Sequence, residues 1–100
     1  MSDFILFMHG DAETDEKETR VDVWNRYIAS LQAKGVFQGG SSIGAGICKN
    51  TSGSTKNITS HLVGYIRIRA DSMSHAEACL PGNPVFEAGG TVEIRELPEE

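Results

Sequence analysis

Residues Arg20 to Gly40 read RVDVWNRYIASLQAKGVFQGG, and the pattern of this stretch decides the fold. Val21, Trp24, Ile28 and Leu31 recur at helical spacing, and Tyr27 widens the stripe. Asp22, Asn25, Arg26, Ser30, Gln32 and Lys34 fill the side that suits water. Two capping pairs compete for the start, Asp15 with Glu18 and Thr19 with Asp22. The helix is predicted from Thr19 to Lys34, with Gly35 as its left-handed stop. Trp24 is expected in the core, where Trp24→Ala would cost ~3–5 kcal/mol.

Outward from this unit, the run FILFM within Asp3–His9 is apolar on both alternating faces, as in a strand covered on both sides. Gly10 to Lys17 is acidic and reads as a loop. After the helix, Val36 to Gln38 starts a second strand, kinked at Gly39-Gly40 and resumed around Ala45–Lys49. Asn50 to Ser60 is a polar connection. His61 to Arg69 alternates: Leu62, Ile66 and Ile68 on one face, Val63, Tyr65, Arg67 and Arg69 on the other. Ser72 to Leu80 is a short helix capped by Ser72 or Ser74 and ended by Pro81. A helical turn fits Val85–Ala88. The last strand, Gly90–Leu97, sets Val92 and Ile94 against Glu93 and Arg95.

This order, βαββαβ, predicts an α+β fold of ferredoxin-like type, with both helices on one face of an antiparallel sheet. One hundred residues suit one domain, spanning 1–100. Two helices on one face leave half of the first strand's apolar residues uncovered. A second copy packed sheet to sheet covers them, so a homodimer through the open sheet face is expected.

The totals narrow the function classes. A net charge of -5 with no basic run argues against nucleic acid. No stretch is long and apolar enough for a membrane span. FILFM follows Asp3 without a basic flank, so it does not read as a targeting segment, and a cytoplasmic location is expected. Cys48 and Cys79 are the two cysteines, and no secretion signal argues for a disulfide between them. The three histidines and two cysteines show no metal-ligand spacing. GGSSIGAG lacks the G-K-[ST] ending of a phosphate loop, so no cofactor is expected.

The residues also carry a resemblance. Met8-His9-Gly10-Asp11, the helix pattern W-x-x-Y-x-x-x-L-x-x-x-G over Trp24–Gly35, the following V-F-x-G-G, Ser74-His75-Ala76-Glu77-Ala78, and the closing GGTVEIREL resemble the YCII-related proteins, in the DGPF-like branch. The resemblance covers nearly the whole chain and implies a ferredoxin-like domain that pairs into a dimeric α+β barrel. The DGPF signature itself is absent; S-G-S-T-K-N-I-T-S-H stands there. The histidine and aspartate proposed as a catalytic pair in some relatives align with Trp24 and Asn83, which cannot supply that chemistry. A few relatives in the wider barrel superfamily act on small aromatic-derived lactones, as isomerases or dehalogenases.

Candidate chemistry centres on His9, at a strand end where a neutral imidazole can act as general base. The alternative is a hydrogen-bonded edge histidine. His61 joins it if the first and third strands pair. Tyr65, Arg67, Glu93 and Arg95 can line a pocket for a carboxylated ligand, or Arg67 and Arg69 can pair with Glu93 across strands. His75 is expected to face solvent. The expected function is binding of a small, carboxylated molecule with proton-transfer activity of isomerase or lyase type. The alternative is a non-catalytic ligand-sensing or accessory module.

Overall fold

The rung Ile66–Leu6–Ile94, three apolar residues abreast on adjacent antiparallel strands, is the floor of the core. It is part of a computed structural model that describes residues 1–11, 17–55 and 58–99, with side chains from residue 21 onward in the first helix. The elements are β1 (Ser2–His9), α1 (Lys17–Ala33), β2 (Phe37–Ser42), β3 (Lys49–Asn50), β4 (Gly53–Ser54), β5 (Leu62–Ala70), α2 (Met73–Glu77), α3 (Pro84–Glu87) and β6 (Val92–Leu97). Four of the strands form one antiparallel sheet in the order β2-β5-β1-β6. This is the ferredoxin-like α+β arrangement, with a small β3-β4 hairpin added beside it.

Alternation along β1 places Phe4, Leu6 and Met8 on the helix side, each at most 3% exposed. Tyr27 and Leu31 of α1 cover them, with Val36, Ile68, Ala70, Ala76 and Cys79 completing the core. The Tyr27 hydroxyl donates to the Cys79 carbonyl at 2.7 Å, tying α1 to the segment after α2. Helix α1 ends in a Schellman turn. Gly35 takes φ 73°, its N–H reaches the Gln32 carbonyl, and the Val36 N–H reaches that of Leu31. Ser72 caps α2 by accepting from the His75 N–H.

Several expectations are corrected. Helix α1 begins at Lys17, so Thr19 lies inside it and is not its cap; the competing Asp15 lies outside the described residues. Val21 is 67% exposed, because the buried stripe is centred on Tyr27 and Leu31. Trp24 is half-buried, packed against the edge of the core instead of within it. The large-to-small penalty of ~3–5 kcal/mol therefore does not apply to it in full. Strand β2 carries its irregularity between Phe37 and Gly39, where Gly39 takes φ 129°, and from Gly39 to Ser42 it pairs in regular register with β5. The chain does not rejoin the sheet at Ala45–Lys49, where only Lys49–Asn50 is paired, with Gly53–Ser54. Lys56 and Asn57 of the connection lie outside the described residues. Helix α2 stops at Glu77 and continues to Leu80 as turns.

Among the described residues no helix covers the other face of the sheet. Its rungs are Arg69–Asp3–Leu97, Arg67–Ile5–Arg95 and Tyr65–Phe7–Glu93. Ile5 and Phe7 are thus the apolar residues of β1 left without a helix over them.

Candidate functional site

The β1–β5 register slips between Met8 and His9, so His9 pairs with Leu62 at the end of the ladder. Backbone bonds hold this end in place. The His9 N–H donates to the Thr91 carbonyl at 3.0 Å, and the Gly10 N–H to the His61 carbonyl at 2.8 Å. A side chain at Gly10 would meet Val63 Cγ1 at 2.9 Å and the His61 carbonyl at 3.2 Å, so the close approach of these strands depends on glycine. Asp11 then latches onto β6: its carboxylate accepts from the Thr91 N–H at 2.8 Å and the Thr91 hydroxyl at 2.6 Å. Those bonds hold the Asp11 carboxyl below its ordinary value.

His9 Nε2 lies 2.9 Å from Glu93 Oε1. The hydrogen bond to His9, assisted by Arg95, lowers the Glu93 pKa. An ionised carboxylate only accepts, so Nε2 carries the proton and donates it. In the neutral ring Nδ1 is then the lone-pair nitrogen, and among the described residues it makes no hydrogen bond. Arg95 Nη1 sits 3.5 Å from Glu93 Oε2 on the outer side. The His61 ring meets the His9 ring edge-on, with centroids 4.6 Å apart.

His9 also lines a cleft of about 820 Å³ between the sheet, α1 and α3. Val23, Trp24 and Ile28 form the α1 wall, and Pro84 and Val85 the α3 wall. Phe37 and Ile66 contribute from the sheet, and Ser41, Ser42 and Tyr65 from the strand ends beside His9. Gly40 permits the packing of β2 here, since a Cβ would come within 2.6 Å of the Tyr65 carbonyl.

The sequence candidates therefore divide. His9, His61, Glu93 and Arg95 come together, and Tyr65 lies at the cleft. Arg67 does not join them. It donates to the Gln38 carbonyl at 3.2 Å and lines a separate small cleft of about 200 Å³ with Asp3, Gln38 and Arg69. The expected pairing of Arg67 or Arg69 with Glu93 is not formed, because β1 lies between their strands. Arg69 pairs instead with Asp3 at 3.1 Å. Neither Arg67 nor Arg95 is among the described residues lining the larger cleft. His75 is partly exposed, and its Nδ1 accepts from the Asp71 N–H at 3.0 Å.

Sequence reasoning missed the Asp11–Thr91 latch, the serines of β2 and the role of Trp24 as a cleft wall. Asp11 directly after His9-Gly10 was a usable signal, as were the small residues Gly39 to Ser42, which leave space where a strand would carry bulk. Asn83 is fully buried. Its side-chain oxygen accepts from the Val85 and Phe86 N–H groups at 3.0 and 3.1 Å, as the cap of α3. Among the described residues there is no group of three or more His, Cys, Asp or Glu side chains placed to hold a metal. No helix among them is long and apolar enough to cross a membrane.

No family model matches the chain, and no curated protein matches it. Among solved structures, it is similar to the 5-chloro-2-hydroxyhydroquinone dehydrochlorinase TftG of Burkholderia phenoliruptrix AC1100, in its complex with 2,5-dihydroxybenzoquinone. The TM-score is 0.59 over 98% of this chain and 95% of that one, at 16% identity. At that identity the likeness is one of fold.

Proposed function

We propose that the chain is one domain of a homodimeric α+β barrel that binds a small molecule in the helix-side cleft and moves a proton on it through His9. The observation that carries this is the 2.9 Å contact between His9 Nε2 and Glu93 Oε1, in which a histidine that lines the cleft is held by a carboxylate from the other face of the sheet. A carboxylate that holds Nε2–H fixes the ring and its tautomer, leaving Nδ1 as the base. Charge that develops on the imidazole as it takes up a proton is met by Glu93. The reaction class is abstraction of a proton from carbon beside a carbonyl, followed either by its return to another atom, as in an isomerase, or by expulsion of a β-substituent with the carbanion's electron pair, as in a lyase.

A carboxylated ligand was the expectation from Arg67 and Arg95. Their positions give it no clamp in the cleft, so the proposal keeps the small molecule and leaves its acid group open to test. The dehydrochlorinase of similar fold is bound to a small oxygenated ring, which supports that size of ligand as a starting point. The motifs from Met8 to Leu97 support membership of the YCII-related, DGPF-like proteins. The two free thiols, Cys48 and Cys79, fit a reducing, cytoplasmic setting.

The probes are phenylpyruvate and its ethyl ester, with deuterium uptake from heavy water at the benzylic carbon as the readout. The protein is expected to accelerate exchange, and His9→Ala to return it to the buffer rate. Equal acceleration by His9→Ala would sink the proton-transfer role. A difference between acid and ester shows whether a carboxylate aids binding. The rival is a ligand-sensing or accessory module, favoured by the ion pair of Arg95 with Glu93; it predicts an occupied cleft without exchange.

A further inference from the structure

We infer that the occupant of the cleft is an amphipathic molecule longer than one ring, with a hydroxyl or carbonyl head at the strand ends and an apolar tail against the helices. This rests on the cleft being a ligand site, and goes beyond it in naming the ligand's shape. Three observations lead to it.

The first is size. About 820 Å³ is the room of roughly 27 waters at ~30 Å³ each. That is near the upper end of ordinary small-molecule pockets, roughly 300–1,000 Å³. A single six-membered ring with oxygen substituents fills a small part of it.

The second is the state of the walls. Trp24, Ile28, Phe37 and Val85 are each only half-buried, and all four line this cleft. The chain's own packing leaves their apolar surface incompletely covered. Covering it is worth about 25 cal/mol per Å², and a one-ring ligand would leave most of it wet.

The third is the segregation of polarity. Ser41 pairs with Tyr65 and Ser42 with Gly64, which in turn faces Met8, one residue before His9. The register thus puts the Ser42 hydroxyl on the helix side at the strand ends, near His9, while the Ser41 and Tyr65 side chains turn to the uncovered face and only their strand ends border the cleft. The wall from α1 is apolar, formed by Val23, Trp24 and Ile28, and Val85 extends it from α3, where Glu87 also borders the cleft with its carboxylate accepting from the Gly82 N–H at 3.0 Å. A molecule matching both ends has a polar head and an apolar body.

Trp24 is the one tryptophan of the chain, so its fluorescence reports on the cleft directly. The test titrates the full chain with phenol and its 4-ethyl, 4-butyl, 4-hexyl and 4-octyl derivatives. Binding should tighten about fourfold per added methylene, at ~0.8 kcal/mol each, at least through the butyl member. Val85→Phe, which narrows the α3 wall, should make the gain stop at a shorter chain. Ile28→Phe does the same from α1 if the first variant fails to fold by circular dichroism.

Phenol binding with no gain along the series overturns the inference and leaves the cleft as a small-ring site. A gain unchanged in both narrowed variants assigns it to non-specific partition and also overturns it. No Trp24 response to any member overturns it together with the assignment of this cleft as the ligand site. The His9 exchange experiment stands apart, because it reads proton transfer and not tail length.

Discussion

At the scale of single residues, the pair His9–Glu93 and the latch Asp11–Thr91 are both carboxylate contacts, and both lower the carboxyl's pKa. The ordinary values are 4.5 for Glu93 and 3.8 for Asp11. In the folded chain each carboxyl holds its proton less tightly than in the unfolded chain. The unfolded state therefore binds protons first as the solution is acidified. The stabilisation is present above the ordinary values and is lost as pH falls through the lowered ones. Acid unfolding followed by circular dichroism should show this limb. Glu93→Gln and Asp11→Asn should each flatten it, and an unchanged acid midpoint in both variants would refute the assignment. Tyr27 works at the opposite end of the scale. Burial pushes its hydroxyl up to about 12, so its neutral form is favoured in the fold. That contribution holds below the ordinary value of 10.0 and is lost as pH rises toward 12.

At the scale of elements, the short helix α3 shows how a polar residue earns a place in the core. Asn83 is fully buried, yet its oxygen satisfies two N–H groups at the start of the helix and its amide faces Met8 Sδ at 4.0 Å. Pro84 follows at the first helical turn, where its missing N–H costs nothing. The helix supplies Pro84 and Val85 to the cleft, so its cap also shapes that wall. Asn83→Ala should lower stability by ~0.5–2 kcal/mol. Two part-buried N–H groups lose their partner and the fully buried Asn83 site is left empty, so the upper end is expected. Chemical denaturation measures this, and a midpoint equal to the unsubstituted protein's would show that the cap is dispensable. Strand β2 makes the complementary point. Its glycines and serines contribute little apolar area, and they leave room beside Tyr65 for the cleft.

At the scale of the whole molecule, the sheet has one face packed by helices and one face that no helix among the described residues covers. On the uncovered face Ile5 and Phe7 stand between charged and aromatic neighbours, in the rungs Arg67–Ile5–Arg95 and Tyr65–Phe7–Glu93. The proposed homodimer buries this face. Native mass spectrometry should therefore find two chains per particle, and Ile5→Asp should yield one chain with its circular dichroism unchanged. A lone chain without the substitution would remove the dimer. The helix-side cleft lies on the other side of the sheet from Ile5 and survives that outcome.

The sequence by itself determined the βαββαβ order of the main elements and the inner faces of β5 and β6. Periodicity is a local property: the alternation of β5 and the spacing of Tyr27, Leu31 and Gly35 can be read without knowing any neighbour. It also singled out His9, His61, Glu93 and Arg95 as candidates, each by residue type and strand position. Tertiary structure alone decided which of them meet. Placing β1 between β5 and β6 gave Glu93 to His9 and kept it from Arg67 and Arg69. The slip after Met8 brought the His61 ring to His9. The same assembly moved Trp24 from the expected core to the wall of a cleft. A hydrophobic stripe shows which way a helix faces, and how deep each residue of the stripe sits depends on what the other elements leave for it to fill.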